Sequence, residues 1–173
     1  MMTRQSAYVA LGSNLQCPAA QVKAGMATLA ALHGTRLIAQ SSLYSSAPVG
    51  YEDQPDFINA VAALETELSP RELLDALLAT ERQFGRVRDF PNSPRTLDLD
   101  LLLYGALQLH ESGLTIPHPR MHERAFVLVP LAEIAPSCVI PGCGGVAELL
   151  RLIEANGVYR VDTRALTDPA TDQ

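Results

Sequence analysis

The sequence is poor in several residue types that would point to common functional classes. Among its 173 residues there is one lysine, Lys23, and there is no tryptophan. A phosphate site in this chain must therefore be built from arginines rather than lysines. The loop Gly-x-x-x-x-Gly-Lys is absent, which excludes the P-loop fold.

Cysteines are also few, and long apolar runs are missing. The three cysteines form an odd set, and Cys138 and Cys143 have no further partners at zinc spacing, so all three are expected to be ordinary thiols. No apolar run is long enough for a transmembrane helix. The first residues lack the apolar core of a signal peptide, so we expect a cytoplasmic protein without a membrane partner.

Composition and charge limit the size and the partners of the fold. With 47% hydrophobic residues, 173 residues suffice for one domain with a substantial core, which we expect to span 1–164. Residues 165–173 are expected to form a frayed tail. The net charge of −6 disfavours a general nucleic-acid binder.

Alternating leucines and aspartates mark the stretch on which the functional prediction depends. Leucine recurs at 97, 99, 101 and 103, and Asp98 and Asp100 fill the alternate positions. Successive side chains of a strand point to opposite faces, so both carboxylates would share one face, about 7 Å apart at their Cα atoms. Because Mg²⁺ usually binds one or two carboxylates plus substrate phosphates, the pair suits a magnesium–phosphate site.

Four arginines, Arg82, Arg86, Arg88 and Arg95, precede this strand. Arginines that bind phosphate beside acids that bind metal indicate phosphoryl transfer. The alternative is an edge strand whose solvated aspartates pair with an arginine-rich loop. Against it, the run of leucines at 101–103 breaks the alternation and predicts that the far end of the strand is buried on both faces. Aspartates on a buried strand need cations rather than water.

The remaining patterns predict an α+β domain of the ferredoxin-like type. Such a domain has an antiparallel sheet with helices on one face, and its long active-site loops would gather over the other face or along one edge. Strands are predicted at 7–11, 36–44, 57–64, 97–104 and 158–163, a short strand or hairpin at 107–109, and helices at 18–33, 69–84, 120–134 and 146–155.

Several polar residues allow two interpretations. The sequence Gly12-Ser13-Asn14 is either a tight turn or a donor of backbone N–H groups to a ligand. Asn59, inside an apolar run, is either a satisfied core amide or a reader of the edge of a flat heterocycle. Glu81 either serves the site or forms a surface ion pair with Arg82 or Arg86.

Two histidines, His118 and His122, are four residues apart, a spacing that would suggest a metal pair on a helix. Pro119 argues against that arrangement because the residue before a proline is disfavoured in helical geometry. His118, in a loop between two prolines, is instead placed to donate to phosphate.

Five motifs occur in order between about residues 7 and 136, and together they are more specific than any one alone. They are Gly12-Ser13-Asn14, Gln54-Pro55-Asp56-Phe57-x-Asn59, Gly85-Arg86-x-Arg88, Pro94-Arg95-Thr96-Leu97-Asp98-Leu99-Asp100 and Pro117-His118-Pro119-Arg120-Met121-x-x-Arg124-x-Phe126. The set closely resembles the hydroxymethyldihydropterin pyrophosphokinases of the folate pathway. The resemblance implies transfer of the terminal diphosphate of ATP to the hydroxymethyl group of 6-hydroxymethyl-7,8-dihydropterin, with release of AMP.

The resemblance also implies roles for individual residues. Asp98 and Asp100 would bind two Mg²⁺ ions, and Asp98 is a hypothetical acceptor of the hydroxyl proton. The catalytic set would be Arg86, Arg95, Asp98 and Asp100. The ATP-binding set would be Leu74, Glu81, Arg86, Arg88, Arg95, Leu101, Thr115, His118 and Arg124. The pterin pocket would be Ser46, Ala47, Val49, Phe57, Asn59 and Phe126. The only expected partners are small molecules, and a monomer is expected.

One segment departs from the family pattern. Many members carry Arg-Trp-Gly just before the Pro-Arg-Thr motif, whereas this chain has Phe90-Pro91-Asn92-Ser93 there. The segment before the motif is one residue shorter in this chain than in those members. The change concerns how this loop closes over ATP, a step that excludes water and often sets turnover. Two other functions stay open: a different Mg²⁺-dependent nucleotidyl- or phosphotransferase on this fold, or a nucleotide-binding module without turnover.

Overall fold

A computed structural model of the chain describes residues 3–48, 52–85, 96–154 and 157–162. In that part of the chain, none of the helices has both the length and the apolar character needed to cross a membrane. The elements are β1 (Gln5–Ser13), α1 (Pro18–Ala30), β2 (Thr35–Gln40), β3 (Tyr44–Ser46), β4 (Phe57–Thr66), α2 (Pro70–Gln83), β5 (Asp98–Tyr104), β6 (Leu109–Glu111), β7 (Leu114–Ile116), a 3-10 turn (Met121–Glu123), α3 (Ala125–Ile134), β8 (Val139–Ile140), β9 (Gly144–Gly145), α4 (Val146–Leu152) and β10 (Val158–Arg160).

The main sheet has six antiparallel strands in the order β10-β3-β4-β1-β5, with β2 pairing on the same edge of β4 as β3. Two small hairpins, β6–β7 and β8–β9, lie outside it. The predicted α+β class with an antiparallel sheet is therefore confirmed. Strand β1 lies between β4 and β5 and so connects the strands before and after α2, and β5 stands at the end of the strand order opposite β10.

Helices cover both faces of the sheet, whereas the prediction placed them on one. Ala7, Val9 and Leu11 of β1 face a core that includes α1 and α2, which is the ferredoxin-like arrangement expected. Tyr8 and Ala10 face a second core built by α3 and α4. The second core exists because α3 is apolar on most of its surface and packs against β4.

The leucines at the end of β5 divide between the two cores, as the broken alternation predicts. Leu101 joins the first core, and Leu102 and Leu103 join the second. The register of β1 against β5 shifts between Tyr8 and Val9, which accommodates the extra buried residue. Burial on both faces anchors β5 and so fixes the two aspartates at its start.

The local signals at α2 are confirmed in detail. Ser69 Oγ accepts a hydrogen bond from the backbone N–H of Glu72 at 3.2 Å, and Glu72 Oε2 accepts one from the backbone N–H of Ser69 at 3.0 Å. A capping box of this kind stabilises a helix start by about 1 kcal/mol. Leu73 and Leu77 are then fully buried, which orients the helix on the sheet.

Other predicted boundaries differ from the structure. The single strand at 36–44 is wrong, because Ser41 leaves the ladder and its Oγ accepts a hydrogen bond from Val61 N, which divides the segment into β2 and β3. Helix α3 begins at Ala125 rather than near 120, because Arg124 has an extended backbone. The predicted tail at 165–173 lies outside the described residues.

Candidate functional site

The pairing of three strands brings the predicted acids and Asn59 to one face of the sheet. Gly12 of β1 is opposite Asn59 of β4 on one side and opposite Asp98 of β5 on the other. Ala10 is opposite Asp100 in the same way. Directly opposite residues of antiparallel strands share a face, so these side chains lie together on the face of the sheet that α3 and α4 pack against.

A cavity of about 610 Å³ lies over this end of the sheet. The start of α3 and strands β3 and β10 form its sides. Eight predicted residues line it: Ser46, Ala47, Phe57, Asn59, Asp98, Asp100, Arg124 and Phe126. Pockets of this size bind small molecules, and the predicted pterin residues and the predicted metal ligands share this one.

At one end of the cavity, polar and aromatic groups form a slot suited to a flat polar ring. Asn59 Nδ2 donates to Ser46 Oγ at 2.7 Å, and both residues are buried. Phe57, opposite Ser46 in register, and Phe126 supply aromatic surface. The place of Asn59 in the cavity wall favours its interpretation as a reader of a heterocycle edge over that of a closed core amide.

The cavity wall also carries two aspartates and two arginines. Asp98 and Asp100 are half-buried in the cavity, not on an open solvent face as the alternative interpretation requires. Arg120 and Arg124 line the same space, and the Arg124 guanidinium carbon lies 5.5 Å from the centroid of the Phe126 ring, a cation–π distance. The arrangement can hold both a cation and a polyanion.

The imidazole of His118 is neutral at neutral pH. Burial lowers the pKa of His118 to about 4, helped by the charges of Arg124 and Arg120 and opposed by that of Asp98. The ring Nδ1 accepts a hydrogen bond from the backbone N–H of Arg120 at 3.2 Å, so the ring proton is on Nε2. His118 does not line the cavity, but it can offer that N–H to a ligand as a neutral donor.

Four other residues predicted to bind ATP are also outside the cavity wall. Leu101 is buried in the core with α1 and α2, and Leu74 packs partly against the same core. The Thr115 hydroxyl lies 3.1 Å from His110 Nδ1. Glu81 is only 2% exposed and accepts a hydrogen bond from Leu99 N at 3.4 Å, so its carboxylate does not lie on the helix surface; a pairing with Arg86 falls outside the described residues.

Predictions for Val49, Arg86, Arg88 and Arg95, and for the shortened segment at 90–93, fall outside the described residues. Their roles stay predictions. The same holds for ion pairs between the arginine-rich stretch and the two aspartates.

The donor set fits magnesium held together with a phosphate ligand. In the described part of the chain, no three His, Cys, Asp or Glu residues form a cluster that could hold a metal alone. Asp98 and Asp100 supply the two hard oxygen ligands that Mg²⁺ takes when phosphates complete its coordination. Their neighbours in register, Gly12 and Ala10, are small and leave room above the sheet.

Sequence reasoning missed the role of Asn14. Strand β1 continues through Ser13, so the tight turn expected at Gly12-Ser13-Asn14 is wrong. The buried Asn14 donates through Nδ2 to Gln54 Oε1 at 2.7 Å and to Pro55 O at 3.0 Å. These contacts connect the end of β1 to the segment that leads into Phe57. The sequence does contain a sign of this contact, because Asn14 and Gln54 both belong to the quoted motifs.

Other wall residues were not among the predicted site residues, namely Ala10, Leu11, Gly12, Pro48, Arg120, Glu123, Ala125, Val127, Gly157 and Val158. Gly12 and Arg120 stand inside quoted motifs. Gly157 and Val158 reach the site through β10, which pairs with β3. No local pattern in the sequence indicates that pairing.

Comparison with known proteins gives a consistent picture. The family model described as 7,8-dihydro-6-hydroxymethylpterin-pyrophosphokinase matches residues 8–136. The 2-amino-4-hydroxy-6-hydroxymethyldihydropteridine pyrophosphokinase of Haemophilus influenzae is 50% identical over 146 residues, which is 84% of this chain and 91% of the relative. The enzyme of the same name from Pseudomonas aeruginosa is 50% identical over 157 residues, 91% of this chain and 97% of the relative.

Solved structures support the fold. A crystal structure of HPPK-DHPS in complex with substrates superposes with a TM-score of 0.69 at 12% identity, covering 87% of this chain. Wild-type Plasmodium falciparum HPPK-DHPS with pteroate also gives a TM-score of 0.69, at 13% identity and 86% coverage. The chain spans only 43% and 42% of those longer chains, so the likeness concerns the fold of one part of each.

Proposed function

Because the chain belongs to the 7,8-dihydro-6-hydroxymethylpterin-pyrophosphokinase family, we propose that its cavity transfers diphosphate from ATP to 6-hydroxymethyl-7,8-dihydropterin. The chain is a pyrophosphokinase of folate synthesis, and AMP is the second product. The observation that carries the assignment of the site is the shared cavity, with Asn59 and Ser46 at one end and Asp98 and Asp100 at the other.

The reaction forms one bond and breaks one. The hydroxymethyl oxygen bonds to the β-phosphorus of ATP, and the bond from that phosphorus to the oxygen bridging to the α-phosphate breaks. AMP leaves with the electron pair, and the hydroxyl proton is released. Because an alcohol is a weak nucleophile, the rate depends on alignment and on neutralisation of charge more than on a strong base.

Residues of the slot would align the acceptor. Asn59 contacts the ring edge, its amide held by Ser46, while Phe57 and Phe126 offer faces for stacking. Arg124 packs on Phe126, so the aromatic wall and a cation for the phosphates are positioned together. A fixed acceptor converts a collision between two substrates into a reaction within one complex.

Asp98 and Asp100 would hold magnesium, whose charge neutralises the phosphate oxygens when it is bound. Arg124 and the neutral His118 would add a cationic and a neutral donor to the same polyanion. Arg86, Arg88 and Arg95 are proposed as further phosphate contacts from the family pattern. Leu74, Glu81, Leu101 and Thr115 are proposed to contribute from outside the cavity wall.

The site is proposed to work within a single domain, in a monomer and in the cytoplasm. The three cysteines are free thiols, two of them exposed, which suits a reducing compartment. Sedimentation velocity of the purified protein checks the expected monomer.

Product analysis tests the function. Purified protein is incubated with ATP, the reduced pterin alcohol and Mg²⁺, and nucleotides are separated by ion-exchange chromatography. AMP in equal amount to the pterin diphosphate supports diphosphate transfer, whereas ADP would identify a simple phosphotransferase. Chelation with EDTA should stop the reaction, and added Mg²⁺ should restore it.

A further inference from the structure

Gly12 occupies the floor of the cavity between its two ends. Its partners in register are Asn59 on β4 and Asp98 on β5, so the three residues form one row across the sheet. Opposite residues of antiparallel strands are about 5 Å apart at Cα, which puts Asn59 and Asp98 about 10 Å apart with Gly12 between them. Without a side chain at Gly12, the floor between these residues stays open.

The backbone does not require glycine at this position. Gly12 lies within β1, and it is not among the glycines with positive φ. Glycine in a strand interior weakens the strand, and it commonly marks a place where a ligand or another backbone comes close. A reason for glycine is therefore to be found in what surrounds it.

A side chain at position 12 would press on Asn59. An added Cβ would lie 3.3 Å from Asn59 Oδ1, and 3.9 Å from both Ile58 O and Phe57 Cδ1. Asn59 has little freedom to move away, because its Nδ2 donates to the buried Ser46 Oγ at 2.7 Å. The amide is thus held by Ser46 on one side and stands against Gly12 on the other.

We propose that Gly12 sets the position of the acceptor ring: with no side chain there, the flat ring lies close to the sheet beside Asn59, and its hydroxymethyl group extends over Gly12 toward the phosphates at Asp98. This inference rests on the proposed function. A methyl group at position 12 would shift Asn59 by a few tenths of an ångström or lift the ring. Either change displaces the attacking oxygen, and a displacement of about 1 Å can cost about 100-fold in rate.

The test is Gly12→Ala, assayed with each substrate varied in turn. We expect kcat/KM for the pterin alcohol to fall at least about tenfold, while KM for ATP stays within about twofold and the melting temperature changes little. Gly145→Ala is the matched control, since Gly145 also has ordinary φ, at −70°, and its added Cβ would meet only Glu148 Cδ, at 3.9 Å. The control should keep wild-type kinetics.

A second variant separates a role in positioning from a structural one. Ser46→Ala releases the Asn59 amide, so the loss caused by Gly12→Ala should be at least about threefold smaller in the Ser46→Ala background than in the wild type. Ser46→Ala alone should raise KM for the pterin alcohol and leave KM for ATP unchanged. The kinetics of Ser46→Ala alone test whether the hydrogen bond from Asn59 to Ser46 positions the amide, without any change at Gly12.

The outcomes separate this inference from the proposed function. Wild-type kcat/KM in Gly12→Ala, an equal loss of ATP affinity, or independent effects of the two variants would each overturn the inference. Failure of Gly12→Ala to fold would also overturn it, because the glycine would then serve the sheet alone. A wild-type protein that forms no AMP would overturn the proposed function, and the inference with it.

Discussion

Replacing Glu133 should destabilise the protein and loosen the strand that carries Ser46. The Glu133 carboxylate on α3 accepts hydrogen bonds from Ser42 N at 2.9 and 3.1 Å, from Ser42 Oγ at 2.7 Å and from the Tyr44 hydroxyl at 2.6 Å. Ser42 and Tyr44 precede Ser46 by two to four positions, so the carboxylate fastens α3 to the start of β3.

The size of the effect follows from the number of bonds and from exposure. A hydrogen bond to a charged group contributes about 1.5–3 kcal/mol, but Glu133 is exposed and water can replace part of each bond, so we take a total of about 2–3 kcal/mol for Glu133→Ala. For a chain of this length that corresponds to a fall of about 5–10 °C in melting temperature. Glu133→Gln should lose about half as much, because its amide nitrogen cannot accept.

The loss of stability caused by replacing Glu133 should be larger at neutral pH than at acidic pH. Burial alone would raise the pKa of Glu133, but hydrogen bonds from Tyr44 and Ser42 and the charge of Arg160 outweigh burial and lower it. A carboxylate whose pKa is lower in the folded state stabilises the protein above its unfolded pKa, and it loses that effect as pH falls through the folded value. The free energy of unfolding of the wild type should therefore exceed that of Glu133→Gln by its full amount at about pH 7, and this difference should shrink below about pH 4.5.

Urea denaturation followed by circular dichroism measures these differences. Glu65→Gln is the control, because Glu65 forms an exposed ion pair with Arg36 at 2.8 Å and should lose only about 0.5 kcal/mol. The reasoning is refuted if Glu133→Ala is no less stable than Glu65→Gln, or if the Glu133→Gln difference grows as pH falls. A small rise in KM for the pterin alcohol should accompany the loss of stability.

Three further variants test the site and the core. Asp98→Asn should lower kcat at least about a thousandfold in a steady-state AMP assay, because the variant removes a proposed ligand of Mg²⁺, whereas the exposed Asp75→Asn should not. Near-normal turnover in Asp98→Asn would contradict the metal assignment. Phe126→Ala should raise KM for the pterin alcohol about tenfold with KM for ATP unchanged, and equal rises in both would exclude stacking on the acceptor alone. Gly25→Ala should lower the melting temperature by about 2–4 °C, because the added Cβ would lie 2.9 Å from Leu97 Cδ2. The overpacking cost of about 1–3 kcal/mol exceeds the gain in helix propensity of about 1 kcal/mol. A higher melting temperature would show that the Leu97 side chain moves aside at little cost.

Local chemistry explains the parts of the fold that the sequence predicts well. The capping box at Ser69 and Glu72 needs only residues three apart, and alternation in β5 needs only the period of a strand. The break at Ser41 was not predictable in this way, because it depends on a hydrogen bond to Val61, twenty positions away. The start of α3 was misplaced for a related reason, since the 3-10 turn before it has no distinct local pattern.

The candidate site shows the same limit. The identities of Asp98, Asp100 and Asn59 stand out in the sequence, but their neighbourhood depends on the register of β1 against two strands. The position of Gly12 between Asn59 and Asp98 also depends on that register. The buried state of Glu81 likewise depends on how α2 packs against β5, which the residues around Glu81 in the sequence do not indicate.

The central claim is that one cavity brings an acceptor ring and magnesium-bound ATP together across a single strand. Rapid-quench analysis of wild-type protein with ATP, Mg²⁺ and the reduced pterin alcohol tests this claim most directly. We predict that AMP and pterin diphosphate form together in equal amounts, and only when Mg²⁺ is present. Formation of ADP, or of AMP without the pterin product, would contradict the claim.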